Sequence, residues 1–265
     1  MTAACRVCPP TTTTAPFAQG TVLGDVPVEY VRCPRCGMVM AADPSWLDRA
    51  YSAPIARLDV GLLDRCFILA NATAAILRAE KGRGGRFLDW AGGYGTLTRL
   101  MRDRGFHFSH FDPMAENVFA PEHEAAGLDA TRYDLITGYE VLEHLVDPVE
   151  SLAPLAAATD RLLMSTQLLP APAPQPDEWA YYSPETGQHV TFFTTEALHR
   201  LADRLGFDGV VVGDFLHLFY RGDVRWAVRR LVRSSKLAYL AGLTLSVPDR
   251  RHSLLQSDVD AIKTA

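Results

Sequence analysis

Two periods alternate along this chain. "RFLDWA", "FHFSHFD", "RYDLITGYE" and "RLLMSTQ" are short apolar runs bounded by turn residues, and each reads as a strand. Helical patterns lie between them. "TLTRLMRDRG" places Leu97, Leu100 and Met101 on one helical face and stops at Gly105, a residue suited to the left-handed cap. "DPVE" opens another helix: Asp147 can cap it, Pro148 fits its first position and Glu150 favours its positive end. "TTEALHRLADRLG" turns Ala197, Leu198, Leu201 and Leu205 inward and ends at Gly206. Upstream, "LLDRCFILANATAAIL" predicts a helix within about residues 59–80, closed by "KGRGG". "EYVRCPRCGMVM" reads as strand, turn and strand, and "VVVGDFLHLFY" closes the pattern as a β-rich segment. Strands alternating with helices imply an α/β fold, its sheet mostly parallel and covered on both faces. "LLPAPAPQPDEWAYYSPETGQHV" breaks the order; being long, proline-rich and aromatic, it predicts a lid or a mobile surface loop.

Composition narrows the setting. A chain of 265 residues can bury one substantial core and a small extra module. Its 48% apolar and 22% charged residues are ordinary for a globular protein. A formal charge of -5 and a pI near 5.9 argue against a general nucleic-acid binder. One local exception is the basic run Arg221, Arg225, Arg229, Arg230, Arg233 and Lys236, which reads as a solvated helix face. Its functional alternatives are an acidic or phosphate-bearing partner or a homo-oligomer contact. No apolar run approaches the roughly 20 residues of a membrane span, and "MTAACRVCPP" lacks the pattern of a secretory signal. The expectation is a cytoplasmic protein with no membrane partner.

Four of the five cysteines form two C-x-x-C pairs, Cys5 with Cys8 and Cys33 with Cys36. Two such knuckles offer four thiolates to one tetrahedral ion, so a structural zinc ribbon is expected, with "PPTTTTAP" as slack between the pairs. A redox pair and disulfides are the competing readings, the latter disfavoured in a reducing compartment. Cys66 is expected to be a small buried residue.

"LDWAGGYG" joins a strand to a helix, where free backbone N–H groups face a ligand beyond the strand ends. Asp112 ends the next strand, placed to accept hydrogen bonds from ribose hydroxyls. Turn plus acid implies a nucleoside-bearing ligand. The dinucleotide fingerprint fails, because its third glycine would fall at Thr98, and no Gly-Lys-Ser/Thr completes a phosphate loop. The run Asp89, Ala91, Gly93, Gly95 instead resembles motif I of the class I S-adenosylmethionine-dependent methyltransferases, departing from it at Ala91, where glycine is usual. "YDLITGYEVLEHLVDP" looks like the fourth-strand segment of that family. The paired cysteines and "WAYYSPETGQHVTFFTTEAL" are similar to a subgroup acting on sugars and small molecules.

The resemblance implies a Rossmann-like doubly wound domain at 83–220 with an aromatic insertion at 168–190. A zinc ribbon at 1–45 and a helical connector at 46–82 would precede it, and a basic helical extension at 221–265 would follow. It implies S-adenosylmethionine held by Asp89, Ala91, Gly92, Gly93, Tyr94, Gly95, Asp112, Pro113, Tyr139 and Glu140. For the reaction, His189 is the first choice of general base, with Glu143, His144 and Tyr181 beside it; Tyr182 and Glu185 are further candidates to orient the acceptor. His144 also reads as a packing residue, and His189 as a residue that holds its loop. The leading expectation is methyl transfer to O or C of a small-molecule acceptor, a sugar or natural-product intermediate. RNA or protein modification through the ribbon, and a non-catalytic cofactor-binding subunit, stand as alternatives.

Overall fold

Strand β7 (Arg161–Ser165) shows how the sheet is covered. Leu162 and Met164 enter the core on one face, and Leu163 enters the core on the other, as the period of two requires. The structure is a computed structural model describing residues 3–52, 59–82, 84–128, 132–249 and 252–264. Its main sheet has six strands in the order β5-β4-β6-β7-β10-β9, where β4 is Arg86–Trp90, β5 His107–Phe111, β6 Leu135–Gly138, β9 Gly209–Val212 and β10 Leu216–Tyr220. The pairs β5–β4, β4–β6 and β6–β7 are parallel, and β10 runs antiparallel to both neighbours. This is the mostly parallel, Rossmann-like sheet that the alternating pattern implies.

Helices α2 (Leu62–Ala79), α3 (Thr96–Arg102), α6 (Trp226–Arg233) and α7 (Ser235–Asp249) cover one face. Helices α4 (Pro148–Ala158) and α5 (Thr195–Arg204) cover the other. Their starts follow the sequence signals. Asp147 accepts the Glu150 N–H at 2.9 Å, and Thr194 accepts the Ala197 N–H at 3.1 Å. Last in the chain, α8 (Leu255–Thr264) returns to α3, where Asp258 meets Arg99 and Arg102.

The N-terminal segment builds a second, antiparallel sheet from β1 (Ala15–Val22), β2 (Val26–Arg32) and β3 (Val39–Ala41), short helix α1 (Leu47–Ala50) following. Its fourth strand, β8 (Thr191–Phe192), comes from the far side of the chain. The spacing between the cysteine pairs is therefore filled largely by a β1–β2 hairpin rather than slack. Gly20 interrupts the alternation that would have announced β1. Arg6 ties β3 to β8 and the residue before it, reaching Ala41 O at 2.7 Å, Thr191 Oγ1 at 2.9 Å and Val190 O at 3.3 Å.

The aromatic insertion is not a mobile surface loop. Tyr182 is fully buried, stacks against Tyr30 and Phe192, and shares a core with Trp46 and Leu169. Large aromatic side chains here bury against the N-terminal sheet, a partner that periodicity alone does not reveal. The basic run also divides. Arg221 lies off any helix and donates to the Ala156, Thr159, Leu205 and Gly206 carbonyls while stacking on Phe207. Arg229 and Arg230 lie on α6 over Tyr220 and Trp226. No helix among the described residues is long and apolar enough to cross a membrane.

Candidate active site

The strand ends of β4, β5 and β6 open into a cleft of about 840 Å³. At one end, the turn after β4 is tightly specified. A Cβ on Gly92 would fall 2.5 Å from Asp89 Oδ2 and 2.8 Å from His110 Cδ2, so only glycine fits. Ala91 adopts φ +55°, a left-handed conformation that costs a residue with a Cβ free energy and suits the glycine the motif usually places there. Asp89 is buried, accepts from Thr137 Oγ1 at 3.0 Å and Thr98 Oγ1 at 3.4 Å, and is pushed up to about 6 by burial.

Asp112 holds this turn from the next strand. Its Oδ2 accepts the Gly93 N–H at 2.9 Å, and its Oδ1 accepts the Met114 and Ala115 N–H groups at 2.8 and 3.0 Å. A carboxylate offers about four lone-pair positions. Three are used, and the fourth is free for a ligand hydroxyl in the cleft that Asp112 lines. His110, which the sequence reading passed over, bonds Gly93 O at 3.0 Å through Nε2 and Glu124 Oε2 at 2.9 Å through Nδ1. Gly93 is thus clamped at its N–H by Asp112 and at its carbonyl by His110. The signal for His110 was slight: a polar residue at an inward position, on the same face as Phe108, in a strand that carries other polar residues. Tyr94, Gly93, Pro113 and Tyr139 all line the cleft, with the Tyr139 hydroxyl 2.6 Å from Thr73 Oγ1.

The other end of the cleft gathers the titratable groups. Glu140 follows β6 at φ +54°, with its N–H donated to Ser165 Oγ at 2.8 Å and its Oε1 accepting from that hydroxyl at 3.0 Å. A turn later, Glu143 is fully buried and accepts a hydrogen bond from Tyr181 Oη through Oε1, while its Oε2 makes no hydrogen bond within the described residues. Burial pushes both carboxyls up to about 7, with the charge of Glu143 adding to the rise at Glu140 and the Tyr181 bond opposing it at Glu143. His144 packs edge-on to His189, ring centroids 4.8 Å apart, and Tyr181 lies 4.7 Å from His189 by the same measure. Burial lowers both histidines, His144 to about 3.

Of the residues named from sequence, Glu143, His144, Tyr181 and His189 converge here. Tyr182 and Glu185 do not: Tyr182 points into the N-terminal core and neither lines the cleft. Cys66 is only half-buried and lines the cleft, where burial pushes its thiol up to about 11. Sequence reasoning also missed Arg65. It pairs with both oxygens of Asp59 at 2.7 Å and lies 3.7 Å from Glu140 Oε2. A charged position amid the apolar residues of α2 was its only trace.

Cys5, Cys8, Cys33 and Cys36 are buried together, with ligand atoms all within 4.8 Å of one another. The Cys5–Cys36 and Cys8–Cys33 sulfur separations are both 3.8 Å. A tetrahedron with Zn–S bonds of about 2.3 Å has edges of about 3.8 Å, so the residues fit zinc.

A strand-first doubly wound sheet and a glycine turn clamped by the neighbouring strand's carboxylate, with a cluster of titratable side chains across the cleft, form the geometry of the site. The methyltransferase-domain family matches residues 66–212, more than half of the chain, and the chain belongs to that family: it is a class I S-adenosylmethionine-dependent methyltransferase. No curated protein matches it. Among solved structures, the N-terminal domain of EvdMO1 with S-adenosylhomocysteine bound is 16% identical over 57% of this chain and 81% of that one, with a TM-score of 0.42. The mitomycin 7-O-methyltransferase MmcR is 16% identical over 67% of this chain and 61% of its own, at 0.47. Magnesium protoporphyrin IX methyltransferase from Synechocystis PCC 6803 with bound S-adenosylhomocysteine is 16% identical over 66% and 93%, at 0.41.

Proposed function

We propose that this enzyme methylates a hydroxyl group of a small-molecule acceptor, a sugar or a natural-product intermediate, and that its four N-terminal cysteines hold a structural zinc ion. One observation carries the reading: the glycine turn and the His144–His189 pair open into the same cleft, whose volume of about 840 Å³ matches a cofactor with a small acceptor beside it. S-Adenosylmethionine supplies an activated methyl group on sulfonium sulfur. The protein's own work is to orient the acceptor and accommodate its proton. Gly93, fixed by Asp112 and His110, presents the turn to the nucleoside, and Asp112 keeps one acceptor position for a ribose hydroxyl. Tyr139 and Glu140 flank the methionine end, and Tyr181, His144 and His189 face the acceptor. The polar lining of the acceptor end, Tyr181, His144 and His189, suits a hydroxylated acceptor, whose proton must leave as its oxygen is methylated.

A panel of sugar nucleotides and hydroxylated aglycones, incubated with methyl-labelled S-adenosylmethionine, is expected to take up label in one acceptor class. Label found only on RNA or protein, or no S-adenosylhomocysteine with any acceptor, would overturn the small-molecule assignment.

A further inference from the structure

Glu143 presents an unusual problem. Its carboxylate is completely buried, one oxygen is held by Tyr181, and the other has no donor among the described residues. A buried carboxylate oxygen left without a partner is costly, and native structures rarely keep one without a reason. A pair of histidines lies beside this carboxylate. One ligand atom each from Glu143, His144 and His189 lie within 4.8 Å of one another.

His189 Nδ1 lies 2.6 Å from Tyr181 O, and a carbonyl can only accept, so this Nδ1 carries the proton and the His189 Nε2 keeps its lone pair. His144 Nδ1 lies 3.1 Å from Gln188 O and 2.9 Å from the Tyr51 hydroxyl; the carbonyl favours the same tautomer there, with the Tyr51 oxygen accepting beside it. Donation of one ring N–H to a backbone carbonyl is the usual support of a metal-binding histidine. The Tyr181 bond to Oε1 does the same for the carboxylate, leaving Oε2 as its free lone-pair atom.

We propose that Glu143, His144 and His189 form a second metal site, distinct from the four cysteines, that binds a divalent first-row transition-metal ion. Two imidazoles and one carboxylate on one side of an ion leave open positions on the other. His144 and His189 line the cleft, so those positions face the acceptor. Ligands at about 2.1 Å from one ion lie at most about 4.2 Å apart, so the trio closes by roughly half an ångström on binding, a small side-chain rotation. The assignment rests on the methyl-transfer reading for its role and deepens it. The ion takes the acceptor's hydroxyl oxygen, lowers its pKa and fixes its direction. The O–H bond breaks and its proton leaves to water. The oxygen's electron pair then forms the O–CH3 bond as the C–S bond breaks, and those electrons return to sulfur as neutral S-adenosylhomocysteine. The histidines act as ligands, and neither takes the proton.

Mn2+ is the probe, since it does not compete for thiolates holding zinc. Zinc-loaded full-length protein should remove one equivalent of free Mn2+ from the electron paramagnetic resonance spectrum, with pulsed spectra showing two imidazole nitrogens on the ion. Glu143→Gln and His189→Ala should each weaken Mn2+ binding at least about tenfold, while zinc content and S-adenosylhomocysteine affinity stay as in the wild type. Tyr181→Phe, which removes a positioning contact, should weaken it about tenfold or less. Free Mn2+ unaltered at millimolar concentration, or bound Mn2+ without nitrogen coupling in the wild type, overturns the site whether or not the variants fold. S-Adenosylhomocysteine binding on the same sample separates the two claims. Cofactor binding without Mn2+ binding ends this proposal alone, and loss of both ends the methyl-transfer reading as well.

Discussion

Ala91 occupies a position where backbone geometry asks for glycine. Its φ of +55° costs an L-residue roughly 1–2 kcal/mol, against which glycine's extra unfolded-state freedom weighs roughly 0.5–1 kcal/mol. Ala91→Gly should therefore stabilise the protein by about 0.5–1 kcal/mol in urea unfolding; a loss of stability would show that the methyl group makes a compensating contact. The departure from the motif was visible in the sequence, but its consequence was not, because the conformation of the turn is set by Gly92 pressed between Asp89 and His110. His110 and Arg65 illustrate the same limit. Each acts through a partner distant in the chain, Gly93 for one and Glu140 for the other. The motif residues were legible because their chemistry is local: a turn, a strand end and an acid.

At the scale of elements, capped helices and short apolar strands were read closely, since Asp147, Pro148 and Thr194 act within one turn of themselves. The N-terminal hairpin and the aromatic insertion were not, because each is defined by the other. β3 pairs with β8, and Tyr182 fills the core beneath β2. This pairing ties the cysteine cluster to the cleft. Arg6, between Cys5 and Cys8, donates to Val190 O, and the Val190 N–H donates to Glu143 O at 2.8 Å. Metal analysis is expected to give one zinc per chain bound by the cysteines. Cys33→Ser should lose it, lower the thermal midpoint and reduce turnover far more than S-adenosylhomocysteine affinity. Equal losses in turnover and affinity would mean that the ribbon supports the whole fold rather than the acceptor end.

Across the whole molecule, α8 packs back onto the helix that follows the glycine turn. Asp258 of α8 bonds Arg99 and Arg102 of α3, the helix that follows the glycine turn, and lies 3.3 Å from His123. Burial opposes ionisation of Asp258, but the Arg102 and Arg99 contacts outweigh it and draw the carboxyl down to about 2. A depressed carboxyl pKa contributes stability above its unfolded value near 4 that is lost as pH falls toward 2. Asp258→Asn should cost about 2 kcal/mol at pH 7, and the difference from wild type should vanish near pH 2; a difference independent of pH would place the effect in packing instead. The cysteine sheet thus packs toward the Glu143 end of the cleft, and α8 packs on the helix that follows the glycine turn. Calorimetric titration with S-adenosylhomocysteine tests the centre of this account most directly. The wild-type protein should bind one equivalent and Asp112→Ala should bind it at least tenfold more weakly while remaining folded, as loss of a charged hydrogen bond of about 1.5–3 kcal/mol requires. No heat of binding from the folded wild type at millimolar ligand would contradict it.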